Sequence, residues 1–263
     1  MTAEIILVFA FVLGAIVGSF LNVCIYRIPA GESIVFPASR CPSCKAAIRW
    51  YQNIPILSYL LLGGRCASCR VRISWRYPFV EALTGALFAL VVFRFGLHGA
   101  TLVFWILCTL LVVITFIDLD HQLIPDVISL PGIVIGFLGS FLVPWLSWSD
   151  SLFGILLGGG SLYLVAAAYE LLAKKEGMGG GDIKLLAMLG AFLGWKAVLP
   201  VIFLSSLMGS LVGIPLMLVK RADGRLAIPF GPFLAAGALV FLFWGGALIH
   251  WYLSFFGPAL PVR

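Results

Sequence analysis

Charge is what this sequence most lacks. Of its 263 residues only 11% are Asp, Glu, Lys or Arg, where a soluble domain carries about a quarter. With 62% hydrophobic residues and a mean hydropathy of +1.12, the chain cannot be an ordinary cytosolic globule and reads as an integral membrane protein. Other absences narrow this further. Polar low-complexity tracts and long polar linkers are missing, so the 29 glycines and 14 prolines lie in apolar runs and do not signal disorder. The alternating dyad pattern of barrel strands is missing, which leaves helices as the spanning elements. A GxxxxGK[ST] phosphate loop is missing, and no internal repeat is read. The opening stretch MTAEIILVFAFVLGAIVGSFLNVCIYR lacks the basic n-region of a secretory signal and is too long for a signal core, so it is expected to stay as a membrane helix.

What is present is a series of apolar runs. At about 20 residues per span, helices are expected near 3–26, 78–95, 99–117, 127–146, 151–173, 197–219 and 232–253. A shorter run at 183–194 brings the count to about eight. The fold class is therefore all-α and polytopic, with a small loop domain between the first two spans. The 17 basic residues orient it: Arg27, Arg40, Lys45, Arg49, Arg65, Arg70, Arg72 and Arg76 lie in that loop, and Lys174, Lys175, Lys184, Lys220, Arg221 and Arg225 fall on the same side of an eight-span path. Only Arg94, Lys196 and Arg263 fall opposite. The positive-inside rule makes the loop cytoplasmic and both termini external, so the net charge of +6 is a topology signal and not a nucleic-acid footprint. Gly14–Gly18, Gly132–Gly136, Gly154–Gly158 and Gly190–Gly194 have the small-xxx-small spacing that lets helix backbones approach.

Residues 41–69, CPSCKAAIRWYQNIPILSYLLLGGRCASC, contain two CxxC turns. Cys41, Cys44, Cys66 and Cys69 form a four-thiolate set for structural Zn2+; two disulfides or a redox pair are disfavoured in a cytoplasmic loop. A closed site of this kind organises a loop too small to build much core and activates no water. The loop's Arg, Trp and Tyr residues suit interfacial anchoring or contact with lipid, peptide or cofactor. Cys24 and Cys108, inside spans, read as small buried residues.

Scarce acids at membrane spans are functional candidates by default. The third span ends in TFIDLDHQLIPD, with Asp118, Asp120 and Asp126; KKEGMGGGDIKLL presents Asp182 after Gly179, Gly180 and Gly181. Two carboxylates from separate segments can share a proton, one activating water while the other polarises a peptide carbonyl. Asp118 directly adjoins the apolar run and is favoured over Asp120 and Asp126. Competing structural readings make Asp126 a helix cap, Asp182 an N-cap on a flexible glycine loop, and His121 a solvated loop histidine. The glycines would otherwise let a substrate strand come close.

In combination these segments resemble the type IV prepilin peptidase family of GxGD aspartyl proteases: GSFLNVCIYRIP at 18–29, the double CxxC loop, RYPFVEALTG at 76–85, FIDLDHQLIPD at 116–126, GMGGGDIKLL at 177–186 and AIPFGPFLAAG at 227–237. The resemblance implies Asp118 and Asp182 as the catalytic pair and Gly179, Gly180 and Gly181 as the substrate loop. It implies prepilin or pseudopilin substrates of type IV pili or type II secretion, cut after a glycine at the cytoplasmic face of the bacterial inner membrane. It also implies methylation of the new N-terminus from S-adenosylmethionine, with the four-cysteine loop as the part tied to methyl transfer. Glu81 is a candidate for the cofactor or the substrate amine, its structural alternative being an arginine pair. The expected organisation is a first helix at 1–26, a zinc-binding loop domain at 27–77 and a peptidase bundle at 78–263. A transporter, or an assembly scaffold with a zinc docking loop, is the alternative; a transport pathway would need ionisable residues deep in the spans, and nearly all sit at span ends.

Overall fold

The computed structural model describes residues 3–173, 179–220 and 228–254. Lys174, Lys175, Gly177, Met178, Arg221, Arg225, Ala227 and Arg263, used above for topology and motifs, lie outside them. Among the described residues the helices are α1 (Ala3–Arg27), α2 (Leu57–Leu61), α3 (Arg76–Phe95), α4 (Gly99–His121), α5 (Asp126–Gly139), α6 (Trp148–Ala173), α7 (Gly180–Leu193), α8 (Trp195–Lys220) and α9 (Gly231–Ser254), with no strand. Six of them, α1, α3, α4, α6, α8 and α9, are long and apolar enough to cross a membrane. The protein is a multi-pass, all-α membrane protein.

The expected boundaries shift in two places. The span read at 127–146 stops at Gly139, followed by a single 3-10 turn, Ser140–Leu142. The short run read from 183 begins earlier, at Gly180, so that Asp182 lies inside the first helical turn.

The chain divides into two compact units, Met1–His121 and Gln122–Arg263. In the first, α1 lies along α3 at backbone contact. A Cβ on Gly14 would lie 2.7 Å from the Thr84 carbonyl oxygen and 2.8 Å from Gly85 Cα, and one on Gly18 would lie 2.8 Å from Glu81 Cα. Where lipid tails are as apolar as leucine, such close packing replaces the hydrophobic effect as the cohesive force. Helix α4 is the interior element of this unit, buried from Ala100 to Asp118 on most faces. Phe88 stacks on Trp105 with ring centroids 4.8 Å apart, and the indole donates to the Phe88 carbonyl at 3.0 Å.

In the second unit α7 is the buried element: every residue from Leu185 to Phe192 is shielded. Gly154 of α6 sits directly on the Gly190 backbone, and Gly158 approaches the Leu186 carbonyl. A Cβ on Gly136 of α5 would meet the Phe192 ring at 2.7 Å, and Ser151 donates to the Ala191 carbonyl at 2.7 Å. The expected close approach is found at Gly14, Gly18, Gly136, Gly154, Gly158 and Gly190, and Gly194, whose backbone lies against Gly154, is at φ 79° also the left-handed residue that ends α7.

Candidate active site and metal centre

The loop of the first unit carries two turns of one design, which corrects the reading that the sequence holds no repeat. Arg40, Cys41, Ser43, Cys44, Lys45, Ile48 and Trp50 recur, with Lys exchanged for Arg, as Arg65, Cys66, Ser68, Cys69, Arg70, Ile73 and Trp75. In the first turn the Lys45 amide donates to the Cys41 carbonyl at 2.9 Å, and in the second the Arg70 amide donates to Cys66 at 3.0 Å. Lys45 and Arg70 are both left-handed, at φ 58° and 61°. An antiparallel bridge closes each turn, Arg40 with Ala47 and Arg65 with Arg72.

The turns bring the four predicted cysteines together. Their Sγ atoms all lie within 4.8 Å of one another, and Cys41 and Cys69 are 3.9 Å apart. Sulfurs around one tetrahedral ion with bonds near 2.3 Å sit about 3.8 Å apart, so the set is suited to a metal. Amides pull two of the thiols down, those of Cys69 and Ser68 holding Cys66 at about 6 and those of Cys44 and Ser43 lowering Cys41, while against the Val71 amide burial and the neighbouring cysteines push Cys69 up to about 11. None of the six cysteines forms a disulfide, and Cys24 and Cys108 are buried as expected.

Beside this cluster a cleft of about 700 Å3 runs from the cysteine turns to the ends of α1 and α3, lined among others by Ser19, Asn22, Tyr26, Tyr77 and Glu81. Clefts of this size suit small-molecule ligands. Asn22 donates to the Tyr77 carbonyl at 3.1 Å, fixing one wall. Glu81, 8% exposed, accepts the Ile56 amide at 2.7 Å and bonds the Ser19 hydroxyl. The arginine partner considered for it is not realised among the described residues. Ile56 itself has φ 62°, a conformation that a β-branched residue adopts only when its surroundings impose it. The Glu81 carboxylate is part of that restraint.

The acids at the end of α4 separate. This helix continues to His121, so Asp118, Asp120 and His121 belong to its last turn. Asp118 is 5% exposed. Asp120 faces Arg76, whose guanidinium donates to both carboxylate oxygens at 2.9 and 2.6 Å and to the Phe116 carbonyl at 3.1 Å, while lying 4.6 Å from the centre of the Phe116 ring.

In the second unit Gly179, and not Asp182, is the N-cap residue of α7, and Asp182 is the third residue of the helix, half-buried. Asp126 likewise does not cap α5, whose N-cap is Pro125; it pairs with Lys184 at 2.7 and 2.8 Å. The three glycines differ. A Cβ on Gly181 would meet Ile124 at 2.9 Å, whereas Gly179 and Gly180 face open space.

Sequence reasoning missed Arg76 and Lys184 as partners of the rival acids, and Asn22 as a wall of the cleft. The signal for the first two was spacing: each favoured aspartate is followed two residues later by a charge, Asp120 after Asp118 and Lys184 after Asp182. On a helix that offset turns the second side chain to the opposite face.

The Bacterial Peptidase A24 N-terminal domain matches residues 12–95, and the Type IV leader peptidase family matches residues 105–214. Among similar proteins, one of Pseudomonas aeruginosa is 39% identical over 93% of this chain and 92% of its own length. One of Aeromonas hydrophila is 40% identical over 94% and 93%, and one of Neisseria gonorrhoeae 41% over 93% and 94%. All three bear the name Prepilin leader peptidase/N-methyltransferase. No solved structure gives a significant match. With both domains in order along the sequence, and relatives near 40% identity aligned over more than nine-tenths of both chains, the chain belongs to the type IV leader peptidase family.

Proposed function

We propose that this protein removes the leader peptide of type IV prepilins or pseudopilins, and then methylates the exposed N-terminus. The observation that carries the reading is the full-length likeness to relatives bearing both activities in their names. Nothing favours the transporter or scaffold alternative. The catalytic carboxylates are Asp118 and Asp182. Asp118 is buried, as a desolvated carboxyl must be, whereas its rivals Asp120 and Asp126 are partly exposed in ion pairs with Arg76 and Lys184, which supports this choice. One carboxylate, ionised, activates water while the other, protonated, polarises the scissile carbonyl after a glycine. Gly179 and Gly180, with open space at their α-carbons, admit the extended substrate strand. The bilayer holds the substrate's apolar helix, so cleavage is a positioned, locally concentrated reaction.

The loop at 27–77 serves methyl transfer, between a first helix at 1–26 and a peptidase bundle at 78–263. Cys41, Cys44, Cys66 and Cys69 hold a structural Zn2+, which supplies the folding free energy that so small a loop lacks. S-adenosylmethionine, when bound, supplies the methyl group. Glu81 attracts a cationic centre, the sulfonium or the substrate amine, and Asn22, Tyr26 and Tyr77 shape the cleft around it. Fourteen of the 17 basic residues orient the chain in the bacterial inner membrane with its loop and carboxylates at the cytoplasmic face. Its partners are prepilins and lipid, not nucleic acid.

The test is to incubate the purified protein with a synthetic prepilin and isotope-labelled S-adenosylmethionine and read the products by mass. A shortened, singly methylated pilin is expected. An uncleaved peptide from the intact, membrane-inserted enzyme would reject the peptidase assignment, and an unmethylated product the transferase assignment.

A further inference from the structure

Arg76 breaks a local rule. It is the first residue of α3, and a cation at a helix N-terminus is opposed by the helix dipole. Such a conflict between local preference and fold is expected where a residue serves a site. The hydrogen bonds and ring contact of its guanidinium fall on another helix, at the C-terminal end of α4, where a cation is favoured. There it brackets Asp118 in sequence: one contact is the carbonyl and ring of Phe116, two residues before it, and the other is the Asp120 carboxylate, two residues after.

The last turn of a helix has carbonyls without intrahelical partners and tends to fray. Helix α4 ends at His121, and Gln122 follows at φ 51°, so Asp118 sits in that vulnerable turn. A fork that grips the backbone at Phe116 and the side chain at Asp120 prevents the turn from unwinding. The side chains of Arg76 and Asp120 are 29% and 39% exposed, and pairs this exposed add little to global stability. Their effect is local. The grip also originates at the first residue of α3, seven positions after Cys69.

We infer that Arg76 is a positioning residue for peptide cleavage, which holds the α4 turn so that the Asp118 carboxylate stays in its productive place. This rests on the reading of Asp118 as catalytic. Lysine cannot substitute, because a single ammonium nitrogen cannot hold the Asp120 carboxylate from Nη1 and the Phe116 carbonyl from Nη2 at once, as the guanidinium does.

The experiment uses the full-length protein in lipid nanodiscs and measures kcat and KM for prepilin cleavage in R76Q, R76K, D120N and D118N. Methyl transfer to an already cleaved pilin peptide is measured alongside. Misplacement of a reacting group by about 1 Å lowers a rate up to about 100-fold. R76Q and R76K are expected to lower kcat for cleavage about 10- to 100-fold, with KM within about twofold. D120N, which keeps the Phe116 contacts, is expected to lose less. Thermal midpoints and methyl transfer to the cleaved peptide should stay near wild type. Wild-type kcat in R76Q or D120N while D118N is inactive would overturn the inference, and so would equal loss of both activities, the mark of a fold-wide defect. Normal cleavage by D118N would instead overturn the reading beneath it.

Discussion

Gly18 offers a direct test of the methyl-transfer cleft. In G18A the new methyl would lie 2.8 Å from Glu81 Cα, 3.1 Å from Thr84 Oγ1 and 3.1 Å from the Val80 carbonyl oxygen. Carbon atoms rest at about 3.5 Å or more, so the first contact falls short by about 0.7 Å. Two of the three obstacles are backbone atoms, which cannot swing aside; α1 has to move off α3. That movement opens the cleft between Ser19 and Asn22 on one wall and Tyr77 and Glu81 on the other. A displacement approaching 1 Å costs a positioned reaction up to about 100-fold, so methyl transfer should fall about 10- to 50-fold, or about 1.4–2.3 kcal/mol in activation free energy. Cleavage should stay within about threefold, because the three atoms nearest the added methyl all belong to α3, whereas Asp118 is carried by α4 and Asp182 by α7. Single-turnover methylation of a cleaved pilin peptide, beside initial cleavage rates in the same nanodiscs, gives both numbers. Wild-type methylation in G18A, or a cleavage loss as large as the methylation loss, would refute the assignment of this cleft.

Other substitutions probe the remaining parts. Asp118→Asn and Asp182→Asn should each abolish leader cleavage while membrane insertion, read by protease protection, is unchanged; processing by either variant contradicts the two-carboxylate mechanism. Glu81→Gln should reduce methylation at least tenfold with cleavage intact, as measured by the mass of the product. Cys41→Ser should lose bound zinc by elemental analysis and impair methylation more than cleavage; full zinc occupancy with all four cysteines replaced would remove the thiolate site from consideration. Gly181→Ala should destabilise the protein by about 1–3 kcal/mol through overpacking against Ile124. Gly180→Ala should leave the melting temperature unchanged, so that any loss of cleavage there reports on substrate approach.

Much of this architecture was legible in the sequence because lipid imposes a simple rule: long apolar runs must be helices. Hydropathy could not see that α5 stops at Gly139, since the apolar run continues past it to Leu146. It also misjudged the start of α7. Three glycines have poor helix propensity, yet packing of Gly181 on Ile124 brings two of them into the helix. The four-cysteine cluster was visible because each CxxC turn is local. The roles of Asp120 and Asp126 were not, since their partners lie 44 and 58 residues away in sequence. The grip of Glu81 on Ile56 was hidden for the same reason, and the offset repeat around the cysteines was overlooked although it is written in adjacent residues.

The length of α7 has a consequence for hydration. Its 14 residues rise about 21 Å, some 9 Å less than the roughly 30 Å of hydrocarbon in a bilayer. The shortfall has a definite location. Gly194 alone separates α7 from α8, and α8 begins with Trp195 and Lys196, the residue types that anchor at the lipid–water boundary. With that end of α7 at the boundary, a helix of this length would leave Asp182, at the other end, recessed below the opposite headgroups. Water reaching into that missing length would supply what a hydrolase consumes and a hydrocarbon layer otherwise withholds. A short helix, shielded from Leu185 to Phe192 and open at its first turn, would thus let the proposed catalytic carboxylate lie below the membrane surface without being sealed from its second substrate.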